Sequence, residues 1–298
     1  MITVMGATGH TGRKIAERLL AAGASVRVLG RSAEKLRRFA ECGVESLSGD
    51  AADRAFLTEA FRGSDAVYTL LPTDRAAPDY RAEQDRQGEA IAMAVRESGV
   101  SHVVALSSLG ADVGSNMGII DGLHAQELRL RTLAHASVLL LRPVSFFENF
   151  LEALPLLRSE GIICDSVGPD VAVQFVATED IADVAAAALL HRGWQGTTVR
   201  ELLGPRDLTY AEATRIIGAS LGLAGVRYVQ LPYSEMAAAL VRVGMSESFA
   251  SQYVQMTRAF NEGRVVSPGG RRAENTTPTR LEDFVATLAR AYRSLEFA

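Results

Sequence analysis

Lysine is almost missing from this chain of 298 residues: of 31 basic residues only Lys14 and Lys35 are lysines. Chemistry that needs a lysine beyond residue 35 is therefore excluded. Cysteine is equally scarce. Cys42 and Cys164 lie far apart with no CxxC spacing, which excludes a disulfide scaffold and predicts two buried free thiols in a reducing compartment. No basic run tracks along the chain and the formal net charge is -4, which argues against nucleic acid as the main partner. No apolar run approaches the roughly 20 residues of a membrane helix; the most apolar helical stretch, 181–190, is short and contains Asp183. His102, His135 and His191 show no ligand spacing with cysteines or carboxylates, so no metal site is expected. Met1 to Met5 run straight into a glycine-rich turn, so no cleavable signal peptide is expected and the chain reads as cytoplasmic.

What remains is an ordinary globular composition, with 48% hydrophobic and 22% charged residues. The length suits one large α/β unit or a domain with an attached lobe. In the first half, apolar runs at 2–5, 25–29, 44–47, 66–71, 102–106 and 138–141 read as strands. They alternate with amphipathic stretches such as 11–22 and 78–98. That rhythm predicts repeated βα units and a Rossmann-type doubly wound parallel sheet. Gly23, Gly43 and Gly99 fall where helices end before the next strand. After Pro143 the rhythm changes, with strands expected near 171–176 and 198–203 among several helices. We therefore divide the chain into a dinucleotide-binding domain over 1–150 and a smaller α/β lobe over 151–298, interleaved with the first. Residues 267–279 read as an exposed loop before a final helix.

The segment Gly6-Ala7-Thr8-Gly9-His10-Thr11-Gly12 follows a strand and opens a helix. Glycines there permit a tight turn and close approach of the main chain. The helix start then offers free N–H groups and a positive dipole end to a pyrophosphate. The spacing is GxxGxxG rather than GxGxxG, but its place in the first βα unit gives it weight. The second strand ends in Gly30-Arg31, where an NAD-preferring site would carry a carboxylate for the ribose hydroxyls. An arginine fork suits a 2′-phosphate instead, so NADP(H) is the expected cofactor, with Lys35 one turn further on. Asp50, after the third strand, either approaches the adenine edge or caps the next helix.

The ordered series GATGHTG at 6–12, VRVLGRS at 26–32, SSLGA at 107–111, LRPVSFFENF at 141–150 and DIADVAAAAL at 180–189 resembles the NmrA-like family of atypical short-chain dehydrogenase/reductases. The stretch 196–217 is similar to that family's C-terminal lobe. The resemblance implies an extended Rossmann domain and a substrate cleft between domain and lobe. It implies that Leu70, Leu71, Pro72 and Ser107 face the cofactor and that Asn149 stands near the cleft. Phe147, with Phe146 and Phe150, then either walls an aromatic substrate or fills the core between lobe and domain.

Short-chain dehydrogenases pair a catalytic tyrosine with a lysine four residues on. With only Lys14 and Lys35, that pair is absent. If His124 stands at the lysine's place, Ile120 stands at the tyrosine's. Alcohol oxidation and sugar epimerisation, which need strong proton transfer at an oxygen, are disfavoured. His124 is left either as a proton-transfer or hydrogen-bonding group or as a helix-face histidine bonding a loop or Glu127. The expected function is an NADPH-dependent reductase of a small, hydrophobic, electron-poor acceptor such as a quinone, dye, imine or enone. The alternative is a non-catalytic NADP(H)-binding redox sensor acting on a protein partner, or as a homodimer.

Overall fold

The computed structural model describes residues 1–295. In chain order the elements are β1 (Ile2–Val4), α1 (His10–Ala21), β2 (Val26–Gly30), α2 (Ala33–Ala40), β3 (Glu45–Ser48), α3 (Arg54–Phe61), β4 (Ala66–Thr69), α4 (Tyr80–Ser98), β5 (His102–Leu106), α5 (Ile119–Arg131) and β6 (Ser137–Pro143). A 3-10 turn (Phe147–Asn149) then leads into α6 (Phe150–Glu160), β7 (Ile162–Asp165), α7 (Thr178–His191), β8 (Thr197–Leu202), α8 (Tyr210–Ser220), β9 (Arg227–Gln230), α9 (Tyr233–Arg242), α10 (Glu247–Asn261) and α11 (Leu281–Ser294).

Seven parallel strands form one sheet in the order β3-β2-β1-β4-β5-β6-β8. Val4 pairs with Val28 on one side and Tyr68 on the other, so the strand order reverses between β1 and β4. That reversal opens a crevice at the carboxyl ends of the strands, the usual ligand position in such sheets. One face of the sheet buries Ile15, Leu19, Leu36, Ile181 and Leu189 from α1, α2 and α7. The other buries Leu57, Phe61, Ile91, Val95 and Leu130 from α3, α4 and α5. Strands covered on both faces explain the Val- and Leu-rich runs of the sequence. Side-chain caps fix several helix starts: Ser32, Asp53 and Asp79 accept from the third residue of α2, α3 and α4.

Residues 151–295 are not a separate body. α7 packs on α1 and β8 joins the main sheet beside β6. The lobe itself is built on α6, α8 and α11 around Phe147, Phe150, Phe175 and Phe284, with a two-stranded parallel ribbon of β7 and β9. That ribbon was not legible in the sequence. Conversely, 171–176 is not a strand. It touches its neighbours only through single bridges, Val173 to Leu208 and Val176 to Phe146. Its alternating apolar residues are buried because the segment passes from lobe to sheet, not because a ladder runs along it. Cys42 is also exposed rather than buried, and Cys164 is half-buried. No helix among the described residues is long and apolar enough to cross a membrane.

The turn after β1 depends on two glycines. Gly6 has φ +65°, and a Cβ at Gly12 would lie 2.4 Å from the Gly6 carbonyl oxygen and 2.6 Å from that of Met5. Alanine normally stabilises a helix relative to glycine by about 1 kcal/mol. Gly12→Ala should instead destabilise this protein by about 1–3 kcal/mol through overpacking, read as a lowered urea midpoint.

Candidate functional site

A continuous groove runs across the carboxyl ends of β2, β1, β4, β5 and β6. Its first part is a cavity of about 260 Å³ lined by Gly6, Thr8, Gly9, His10 and Thr11 of the turn, by Arg31, Leu70 and Pro72, and by a slot of Leu29, Ala51, Phe56 and Leu57. The start of α1 points its unsatisfied first-turn N–H groups here. Gly9 caps that helix without a side chain, so no side-chain cap occupies the positive end. Thr11 faces inward, its Oγ1 accepting from the buried Tyr68 hydroxyl at 3.0 Å. Its backbone therefore borders the groove while its side chain anchors α1 to β4. Gly12 lies beneath the turn as a packing residue and does not line the cavity.

Arg31 is exposed and lines both this cavity and a polar one beside it, which also holds Asp50, Asp74, Glu83 and Arg86. The two readings of Asp50 resolve in part. Its carboxylate accepts from the backbone of Ala52 at 2.9 Å, while Asp53 caps α3. Asp50 is a turn former at the rim, not the helix cap. Phe56 carries no site signal in the sequence. Its ring stands over Gly49 so closely that a Cβ there would meet it at 2.6 Å, making it a wall of the slot.

The second part of the groove, about 280 Å³, shares Leu70, Thr73 and Phe146 with the first. Leu71, Ser107, Ser108, Ile119, Ile120, Leu123 and Asn149 line it as well. Among the described residues, Tyr80 is the only ionisable side chain on its wall. Burial pushes the Tyr80 hydroxyl above the ordinary tyrosine value, against the opposing pull of the Thr73 hydroxyl and the Arg75 charge. Tyr80 thus stays protonated at neutral pH.

Two expected site residues lie elsewhere. His124 is on α5 one position past the lining residue Leu123, and the helix turns its ring away from the cavity. Its Nδ1 lies 2.6 Å from the Ala111 carbonyl and its ring packs on Gly114, holding the 110–114 loop. Phe147 is 1% exposed, stacked on Phe175 and tilted against Phe284. It is core, and Phe146 is the aromatic that faces the groove. The 3-10 turn alternates their directions, which the sequence FFENF alone does not reveal.

Behind the cleft lies a buried ion pair that sequence reading passed over. Glu127 on α5 takes two bonds from Arg142 on β6, at 2.8 and 2.7 Å, one from Arg131 at 3.3 Å and one from the Ser107 hydroxyl at 2.6 Å. Burial alone would raise the Glu127 pKa. The bonds from Arg142 and Ser107 outweigh it and hold the carboxyl below the usual range. Ser107 therefore spends its proton on Glu127 and presents only lone pairs to the cavity. The two lysines are accounted for too. Lys14 donates to Glu148 and Thr178, each at 2.8 Å, and Lys35 is exposed on α2.

The strand order, the glycine turn and the groove at the switch point define a Rossmann-type fold. The NmrA-like family matches residues 1–291, and the chain belongs to that family. Among curated relatives, a (4-alkanoyl-5-oxo-2,5-dihydrofuran-3-yl)methyl phosphate reductase of Streptomyces griseus is 35% identical over 222 residues, 74% of each chain. Festuclavine dehydrogenase of Aspergillus fumigatus is 27% identical over 291 residues, 95% of this chain and 96% of the relative. An NADPH-dependent quinone oxidoreductase of Escherichia coli, solved with NADPH, superposes with a TM-score of 0.80 at 24% identity, covering 97% of this chain and 99% of that one. Triphenylmethane reductase of Citrobacter with NADP(H) gives 0.79 at 24%, covering 97% and 100%. At that identity the two structures speak for the fold.

The Glu127 carboxyl titrates lower in the folded than in the unfolded chain. Its stabilisation is therefore complete above the usual carboxylate range and is lost as pH falls through the depressed folded value. Glu127→Gln should cost about 3 kcal/mol at neutral pH by stranding Arg142. It should also flatten the fall of the urea midpoint between about pH 5 and pH 3. A variant as acid-sensitive as the parent would contradict the assignment.

Proposed function

We propose that this protein is an NADPH-dependent reductase of a small, hydrophobic, electron-poor acceptor. The observation that carries the reading is the groove itself. It runs from an exposed arginine, past a helix N-terminus, into an apolar cleft whose single ionisable side chain is a protonated tyrosine. The residues fit the cofactor. Gly6, Thr8, Gly9, His10 and Thr11 bracket a pyrophosphate position, the Phe56 slot suits adenine, and Arg31 suits a 2′-phosphate. Leu70, Leu71, Pro72 and Ser107 border the nicotinamide end, where Ser107 is disposed to accept from a carboxamide N–H. When bound, NADPH supplies the two-electron reductant.

The protein's own part is positioning, exclusion of water and one proton. The cleft walls of Leu71, Ile119, Ile120, Leu123 and Phe146 suit a flat apolar acceptor. With no lysine beside it, the Tyr80 hydroxyl is a weak acid, suited to acceptors that need little protonation as they are reduced. Reductase-named relatives, one acting on a conjugated oxo-dihydrofuran, support this acceptor class. So does the fold shared with quinone and dye reductases.

NADPH binding followed by fluorescence should be tighter than NADH binding, and Arg31→Ala should weaken NADPH about ten- to hundredfold while leaving NADH nearly unchanged. Adding a quinone or conjugated enone should then consume the NADPH signal. Binding without consumption across a panel of quinones, dyes, imines and enones would replace the reductase with a cofactor sensor. Tyr80→Phe should lower kcat about 10²-fold for an enone, whose reduction leaves an oxygen to be protonated. For a cationic dye, which ends neutral without a proton, kcat should fall less than threefold. Equal losses on both acceptors would remove Tyr80 from the chemistry.

A further inference from the structure

A second cavity, of about 350 Å³, lies inside the lobe and meets the cleft at Asn149, which lines both. Its walls are apolar and aromatic: Phe150, Phe175, Tyr210, Leu240, Phe249 and Tyr253. At its inner end stands Asp165, the last residue of β7, only 6% exposed. Every partner of this carboxylate is a donor. Ser166 N–H gives 2.6 Å and Val167 N–H 3.2 Å to one oxygen, and the Tyr253 hydroxyl gives 2.6 Å to the other. All three bonds are ones the ionised form accepts, and two of them come from backbone N–H groups that can only donate.

No cation compensates that charge among the described residues. Arg75, the only basic residue lining the cavity, is held by Glu152 through two 2.8 Å bonds. The lining thus sums to one negative charge: Arg75 and Glu152 cancel, and Asp165 is left over. Burial pushes the Asp165 pKa up against the pull of its three donors, the mark of an ionised state that costs free energy while uncompensated. An apolar, aromatic-walled cavity with one buried anion is complementary to a hydrophobic monocation. Charge attraction acts there at low dielectric, and an aromatic ring adds a cation–π contribution wherever a ligand cation meets its face.

We propose that the lobe cavity binds the ammonium group of a hydrophobic ligand, with Asp165 as its counter-ion and Phe249 and Tyr253 as aromatic walls. Resting on the reading of the cleft as the acceptor site, the junction at Asn149 lets one molecule place its cationic end in the lobe and its reducible carbon in the cleft. The protein then selects acceptors that carry a positively charged nitrogen.

The test is equilibrium dialysis of the full chain, without NADPH, against benzyltrimethylammonium and its neutral carbon isostere neopentylbenzene. The cation should bind at least tenfold more tightly than the isostere. In Asp165→Asn, checked for an unchanged thermal midpoint, that ratio should fall to near one. Should this variant fail to fold, Phe249→Leu serves: cation binding should weaken severalfold while the neutral ligand is unaffected. Equal binding of both probes by the parent protein, or a preference that survives in Asp165→Asn, would overturn the proposal. NADPH titration of the same samples tests the cofactor reading separately, so the two can fail independently.

Discussion

How closely the main chain can approach itself after β1 governs the rest of the cleft. A Cβ at Gly12 would sit 2.4 Å from the Gly6 carbonyl oxygen, so only glycine lets α1 start directly above the strand. A Cβ at Gly6 would meet Leu70 at 2.7 Å, so the same turn also sets how near the end of β4 can come. The helix axis, its free N–H groups and the floor of the groove are thereby fixed together. Tyr68 secures the arrangement from below, its hydroxyl donating to Thr11. Because β1 and β4 are the strands between which the sheet order reverses, this crowded turn coincides with the one crevice the topology opens.

Two buried ion pairs then carry that rigid turn outward. Lys14, one helical turn into α1, reaches Glu148 in the 3-10 turn, and Glu148 also accepts from the Thr178 backbone at the start of α7. Three elements far apart in sequence are joined beside the groove, and Phe146 and Asn149 flank the joint. The second pair, Glu127 with Arg142, joins α5 to β6 beneath Ser107. Buried pairs of this kind contribute little net stability compared with apolar packing. Their geometry is directional, however, and here it determines which atoms face the cleft.

Those directional features are also where sequence reading stopped. The sheet, the glycine turn and Arg31 were legible, because strand periodicity and a local turn motif depend on neighbours within a few residues, whereas Leu70, Leu71 and Pro72 followed from the family resemblance. Position 12 was legible as glycine but not as a packing residue, since its reason is the Gly6 carbonyl. His124 and Phe147 were each left between a site role and a packing role, because helical and 3-10 rotation decide which of two adjacent residues points inward. Phe56 and Tyr80 had every mark of core residues within a helix, and only tertiary placement turns them to the groove. The β7–β9 ribbon pairs residues more than 60 apart, with strands of four residues that carry no periodic signal.

The arrangement around Ser107 bears on which reactions the cleft favours. A serine beside a nicotinamide site helps reduce a carbonyl when it donates to the developing oxyanion. Here the depressed pKa of Glu127 means the carboxylate keeps accepting down to acidic pH, and the 2.6 Å bond holds the serine proton throughout. Among the described residues, the one titratable group on the wall is Tyr80, whose proton is held more firmly than usual. A developing alkoxide there would find one weak acid and, among the described residues of the wall, no cation. An acceptor whose charge is neutralised or delocalised on reduction makes no such demand, and the apolar wall becomes an asset, because it favours the less charged product.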